Sequence, residues 1–247
     1  MYMNWSNVLD SFGRVGLPAR IVPPPLDSGS DIRAQVDRDR KRLGLVVAVE
    51  VDRGREIFSL YPTRRARPIV LEASARRRHL LLLLKHGAAD RRILFGHDER
   101  HLFSSILPGI GGAVFRIDQA FEALKPREVR DAESRPIPLF RGRARNPIRQ
   151  GEWFFVPEPE FVPQHWMFHS SSGLRRPGKR GWLGHAHVAD ETARFTDGDG
   201  MTHTYVRGAV HHPEHETIHL DVWHRIYLNL EEGKPYGLGS AGRAYLD

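Results

Sequence analysis

Histidine, carboxylate and arginine side chains are the groups in this chain that can do chemistry, and they are unevenly spread. Ten of its 14 histidines lie between His165 and His224. There is no cysteine. That excludes a thiolate nucleophile, a disulfide framework, thiolate zinc sites and iron–sulfur ligation, and leaves imidazole and carboxylate as the metal ligands. His185 and His187 form His-x-His. On a strand these two project to one face, about 7 Å apart, and can share a metal. With Glu191 and His219 they are the candidate ligands for a divalent ion (Zn, Fe, Mn or Ni). In the segment 202–229, period-two spacing puts His203, Tyr205, Arg207 and His211 on one face, with His212 opposite. On the following strand His219, Asp221, Trp223 and Arg225 share a face, His224 lies opposite, and His215 sits in the turn. Such a face suits a metal, a phosphate or general acid–base work. His97-Asp98-Glu99-Arg100-His101 is a second compact cluster, either a ligand loop or a charged strand-end turn.

The string His185-x-His187-x3-Glu191-x6-Gly198 resembles part of the first motif of the cupin family. Lys179 stands where the family's opening glycine should lie, and Pro213-Glu214-His215 stands in place of Pro-x-Gly in the second motif. The resemblance covers residues 185–198. It implies an all-β barrel with His185, His187, Glu191 and His219 around a divalent metal. By letters alone, His211-His-Pro-Glu-His215 matches the His-x-x-Glu-His metalloprotease pattern. That pattern needs one helical face, and Pro213 breaks it.

Arginine points to a different partner. The 247 residues carry 37 Lys+Arg against 30 Asp+Glu, a formal +7. Residues 1–150 hold 28 basic and 17 acidic side chains, and residues 151–247 hold 9 and 13, so +11 is joined to −4. Arg141, Arg143 and Arg145 alternate. In an extended chain they fall on one side at a spacing of roughly 6.6 Å, close to that of successive phosphates on a nucleic-acid strand. Arg64, Arg65 and Arg67, with Arg76, Arg77 and Arg78, add two clusters whose guanidinium forks suit phosphate oxygens. Only five of the 37 basic residues are Lys, a skew that GC-rich base composition produces without selection for binding.

These groups must be positioned by short elements. Residues 1–42 read as irregular, with Pro23–Pro25 and a turn-rich stretch after them. Residues 43–61 read as a hairpin around Gly54, and 69–104 as further short strands. By periodicity His79–Lys85 fits a buried strand or a buried helix segment, and the Gly-containing turn that links it to the next apolar run favours strands. Ile117, Ala120, Phe121 and Leu124 predict a helix over 117–124, stopped by Pro126. The Pro- and Arg-rich stretch 125–150 reads as a linker. From 151 to 247 the chain reads as a His-rich β unit, with a hairpin over 202–229. The expected fold is α+β and β-rich: short antiparallel sheets and hairpins with few helices, as two small β-rich units.

The composition favours a cytoplasmic, nucleic-acid-associated (polyanion-binding) protein that uses the Arg-rich part. The alternatives are a metal-dependent enzyme, hydrolase or cupin-like, with a site in 185–224, and a non-catalytic subunit with protein partners in a larger complex. No membrane is expected, because no apolar run approaches the length of a span.

Overall fold

The computed structural model describes residues 5–23, 40–97, 101–108, 114–135, 146–174, 186–213 and 215–230. The described chain is β-rich, with short antiparallel sheets and few helices. It divides into two compact units. Unit 1 comprises residues 1–124 with 230–247, and unit 2 is 125–229. No described helix is long and apolar enough to cross a membrane.

Unit 1 has two sheets. In the first, β1 (Ala19–Ile21) runs parallel to β3 (Arg55–Pro62), and β3 pairs with β2 (Leu45–Asp52) as an antiparallel hairpin. The second sheet is the meander β4 (Arg67–Ser74), β5 (His79–His86), β6 (Ala89–His97), β7 (Leu102–Ile106). The Leu80–Leu84 run is strand β5, and it lacks alternation because both its faces are covered. Leu80, Leu82 and Leu84 join the main core with Phe58, Leu60 and Phe95. Leu81 packs with Leu94 and with α2 (Ile117–Leu124) on the other side. A strand buried on both faces reads as a continuous hydrophobic run.

The N-terminal segment is more ordered than its composition suggested. Helix α1 (Ser6–Arg14) places Val8 and Phe12 in the main core beside Trp5, Val15 and Leu17. The Phe12, Phe58 and Phe95 rings meet at centroid distances of 4.9–5.7 Å. No side chain caps the start of α1, so burial of its apolar stripe stabilises it rather than local signals.

On the face of the first sheet that carries Val46, Ala48 and Tyr61, Glu50 gathers three donors. Ser59 Oγ donates to it at 2.6 Å, Tyr61 Oη at 2.9 Å and Arg20 Nη2 at 2.5 Å. Burial alone would push this carboxyl up. The hydrogen bonds from Ser59, Arg20 and Tyr61, with the Arg20 charge, outweigh it and hold the group below its ordinary value.

Unit 2 is one six-stranded antiparallel sheet. Its strands are β8 (Ile148–Gln150), β9 (Trp153–Pro157), β10 (Phe168–Gly173), β11 (Val188–Thr196), β12 (Thr202–His212) and β13 (His215–Leu228), in the order β10-β11-β12-β13-β9-β8. Among the described residues its edges, β10 and β8, do not pair, so it is an open sheet and not the closed barrel that the cupin resemblance implied. It nevertheless curls. Trp153 pairs with Leu228 at one end of β13, while Gln150 Nε2 donates to the Glu216 carbonyl near the other end, at 2.6 Å. A flat strand would hold residues 216 and 228 about 40 Å apart. Within the stretch expected to be a linker, helix α3 (Arg127–Ser134) buries Val129 against Phe154 and Val156.

The Glu50 cluster sets an acid limit for unit 1. A carboxyl held low in the folded state contributes stability above its unfolded value, and that stability is lost as pH falls through the lowered folded value. Glu50→Gln is expected to cost about 1–3 kcal/mol at pH 7 and less at pH 3, below the ordinary carboxylate range. Urea unfolding of both proteins at the two pH values checks this; an equal cost at both would contradict it.

Candidate metal centre

Three imidazoles meet at one end of the unit 2 sheet. His212 closes β12 and His215 opens β13, and the two are cross-strand partners. Val188 pairs with His211, so His187, one residue earlier, falls beside His212. Ring centroids are 4.3 Å apart for His187 and His212, 4.7 Å for His212 and His215, and 5.5 Å for His187 and His215. One nitrogen from each ring can be chosen so that all three lie within 4.8 Å of one another. His187 is 2% exposed, and the other two are half-buried.

Gly151 forms the floor of this cluster. It adopts φ +57° in the two-residue turn between β8 and β9. A Cβ there would lie 3.0 Å from His215 Nε2 and 3.5 Å from His187 Nε2. Both nitrogens therefore face the space that the glycine leaves clear. Two bonds hold the turn in place: Gln150 to the Glu216 carbonyl, and Arg149 Nε to the Gly151 carbonyl at 2.8 Å.

A β-bulge decides which residues join the cluster. Between Ala189 and Glu191 the β11–β12 register shifts. Asp190 Oδ2 accepts the Ala209 amide at 2.8 Å, and Gly208 takes φ +87° beside it. Ala189, before the bulge, packs with Val206, Val210 and Leu220. Ala193, after it, packs with Tyr205 and Trp223 in a different cluster. Simple alternation would have put His187 and Glu191 on one face. Instead Glu191 is ion-paired with Arg207, which lies over the Trp223 ring at 4.8 Å.

The remaining candidates are dispersed. His219 pairs opposite Ala209 and is exposed, away from the cluster. His185 lies outside the described residues, as do Arg141, Arg143 and Arg145. On the Trp223 face, His203 Nε2 donates to Asp197 at 2.6 Å and the Arg225 guanidinium donates to its Nδ1. The bond from His203 holds Asp197 below its ordinary value. His224 is buried, and its Nδ1 donates to the Val222 carbonyl at 2.9 Å. In unit 1, Arg64 and Arg65 are exposed in the turn before β4, and Arg67 opens that strand. Arg76, Arg77 and Arg78 form the turn at its far end. Arg77 is ion-paired with Asp118, and Arg78 Nη2 donates to the Gly16 carbonyl at 3.1 Å.

Spacing arguments found His187 and missed its neighbours. The signal for two of them was present: His212 and His215 stand on either side of the Pro213 turn signal, and they are cross-strand partners. Nothing local announced Gly151, which lies distant in sequence.

Chemically, three imidazoles with no carboxylate among them form a nitrogen-only ligand set for a borderline divalent ion. A tetrahedral ion at about 2.1 Å from each nitrogen would set them about 3.4 Å apart.

The bulge can be tested with two glycines. A Cβ at Gly208 would fall 2.8 Å from Asp190, whereas one at Gly200, also at positive φ, meets nothing. Gly200→Ala carries backbone strain alone. Gly208→Ala should destabilise the protein by about 1–3 kcal/mol more, measured by denaturant unfolding; equal costs would show that the bulge is slack.

No protein-family model, no curated protein and no solved structure significantly matches this chain.

Proposed function

We propose that unit 2 is a divalent transition-metal-binding unit, with His187, His212 and His215 as the protein ligands. The observation that carries this reading is the convergence of three imidazole nitrogens within 4.8 Å, above a glycine that leaves room for an ion. Three neutral ligands leave the ion's charge uncompensated and a fourth position open. Zinc held by these three histidines would supply Lewis-acid and water-activating chemistry, so the enzyme class that fits is a hydrolase. The reading differs from the cupin-like one in its ligands: His187 is common to both, and Glu191 and His219 are not required.

The test uses the full chain, stripped of metal and titrated with Zn2+ and with Co2+ as a spectroscopic reporter. One equivalent is expected to bind, with the visible bands of a tetrahedral Co2+ site. At 100 times the dissociation constant it should add about 2.7 kcal/mol of stability. Alanine at His187, His212 or His215 should each weaken binding by at least tenfold, and Gly151→Ala should do the same by filling the space. His219→Ala and Glu191→Gln should bind like the parent. Absence of stoichiometric binding, or indifference to all three histidines, would refute the proposal.

Association with nucleic acid or another polyanion is the second reading. It is supported by exposed Arg64, Arg65, Arg67 and Arg76 together with the +11 charge of residues 1–150. Its support is thinner, because Arg77 is ion-paired with Asp118 and the two clusters lie at opposite ends of β4. Co-purified nucleic acid, released steeply as salt rises, would favour this reading. A preparation free of nucleic acid at low salt would count against it.

A further inference from the structure

Unit 1 carries its own candidate site, far in sequence from the histidine cluster. A cleft of about 770 Å³ is lined by the polar Arg55, Glu56, Arg78, His97 and His101 and by apolar residues such as Leu17. That volume lies within the range of small-molecule sites. The polar groups come from three places: the start of β3, the β4–β5 turn, and the two ends of the β6–β7 connection.

Glu56 organises one wall. Its Oε1 accepts from His101 Nδ1 at 2.7 Å, and its Oε2 accepts the Leu102 amide at 2.6 Å. A carboxylate only accepts, so the Nδ1 of His101 carries the proton and the ring orientation is fixed. Arg78 organises the other wall. Its backbone sits at φ +56°, a conformation that glycine or asparagine adopts most easily. An arginine there is a poor choice for the turn itself. Its backbone carbonyl accepts the His97 amide at 3.3 Å, and its guanidinium donates to the Gly16 carbonyl at 3.1 Å while also lining the cleft.

Among the described residues the cleft offers two guanidinium groups and two imidazoles against one carboxylate, and that carboxylate accepts from His101 and from the Leu102 amide. We propose that it binds a small phosphate-bearing molecule, with Arg78 and Arg55 on the phosphoryl oxygens, His101 held beside them by Glu56, and the apolar wall against the rest of the ligand. Forked guanidinium donors match phosphate geometry, and the volume exceeds what a bare phosphate would fill.

The strained arginine supplies a clean test. Arg78→Gly removes the guanidinium and relieves the backbone, so the fold should survive with an unchanged or higher Tm. Calorimetric titration of the full chain with ribose 5-phosphate should show saturable binding. Inorganic phosphate should compete more weakly, and ribose should not bind. Arg78→Gly should weaken ribose 5-phosphate binding at least tenfold, and His101→Gln by a smaller factor. Absence of saturable binding by the parent would overturn the proposal. Equal affinity in a folded Arg78→Gly protein would overturn it too, and so would ribose binding as well as its phosphate.

Discussion

The Ala209 amide donates to the Asp190 carboxylate across a break in the β11–β12 ladder, and the form of unit 2 depends on that contact. A bulge adds twist where it interrupts pairing. It also moves residues from one side of the sheet to the other. Through it Ala189 faces one core and Ala193 another, and Glu191 is delivered to Arg207 instead of to His187. Further irregularities in the β12–β13 ladder lie between Val206 and Gly208 and between Val210 and His212. These breaks allow a 14-residue strand to curl until its first residues lie beneath the β8–β9 turn. A regular sheet from the same sequence would leave His187, His215 and Gly151 apart.

The opposite side of the sheet shows what becomes of the other polar groups. Asp197, His203 and Arg225 form a chain of charge-assisted bonds, and Glu191 with Arg207 forms a pair beside Trp223. Phe161 stacks on Tyr205 at 3.7 Å. Burial pushes the Tyr227 hydroxyl up to about 12, so it stays neutral at any physiological pH. Among the described residues, His203 and His224 are held by internal bonds, and His187, His212 and His215 form one cluster.

Elements built on local rules were legible in the sequence. The hairpins around Gly54 and Pro213, and the helix over 117–124, follow from turn residues and from period-two or period-3.6 spacing. Helices α1 and α3 were not, because each is short and lacks a side-chain cap. What stabilises them is burial of Phe12 and Val129 against strands far along the chain. The metal ligands divide in the same way. His187 stood out by composition and spacing, His212 and His215 were readable from their turn, and the exclusion of Glu191 required a bulge. A bulge is a property of two strands together, and alternation along one of them cannot reveal it.

The Leu230 amide donates to the Leu124 carbonyl at 2.8 Å, so the chain re-enters unit 1 where it left. Topologically, unit 2 is an insertion whose ends are clasped by a hydrogen bond of its host. To unit 1, residues 125–229 amount to a long loop, and the entropy of closing a loop grows only logarithmically with its length. The cost of closing unit 1 around residues 125–229 is therefore set mainly by holding their two ends together, and hardly by how long that stretch is.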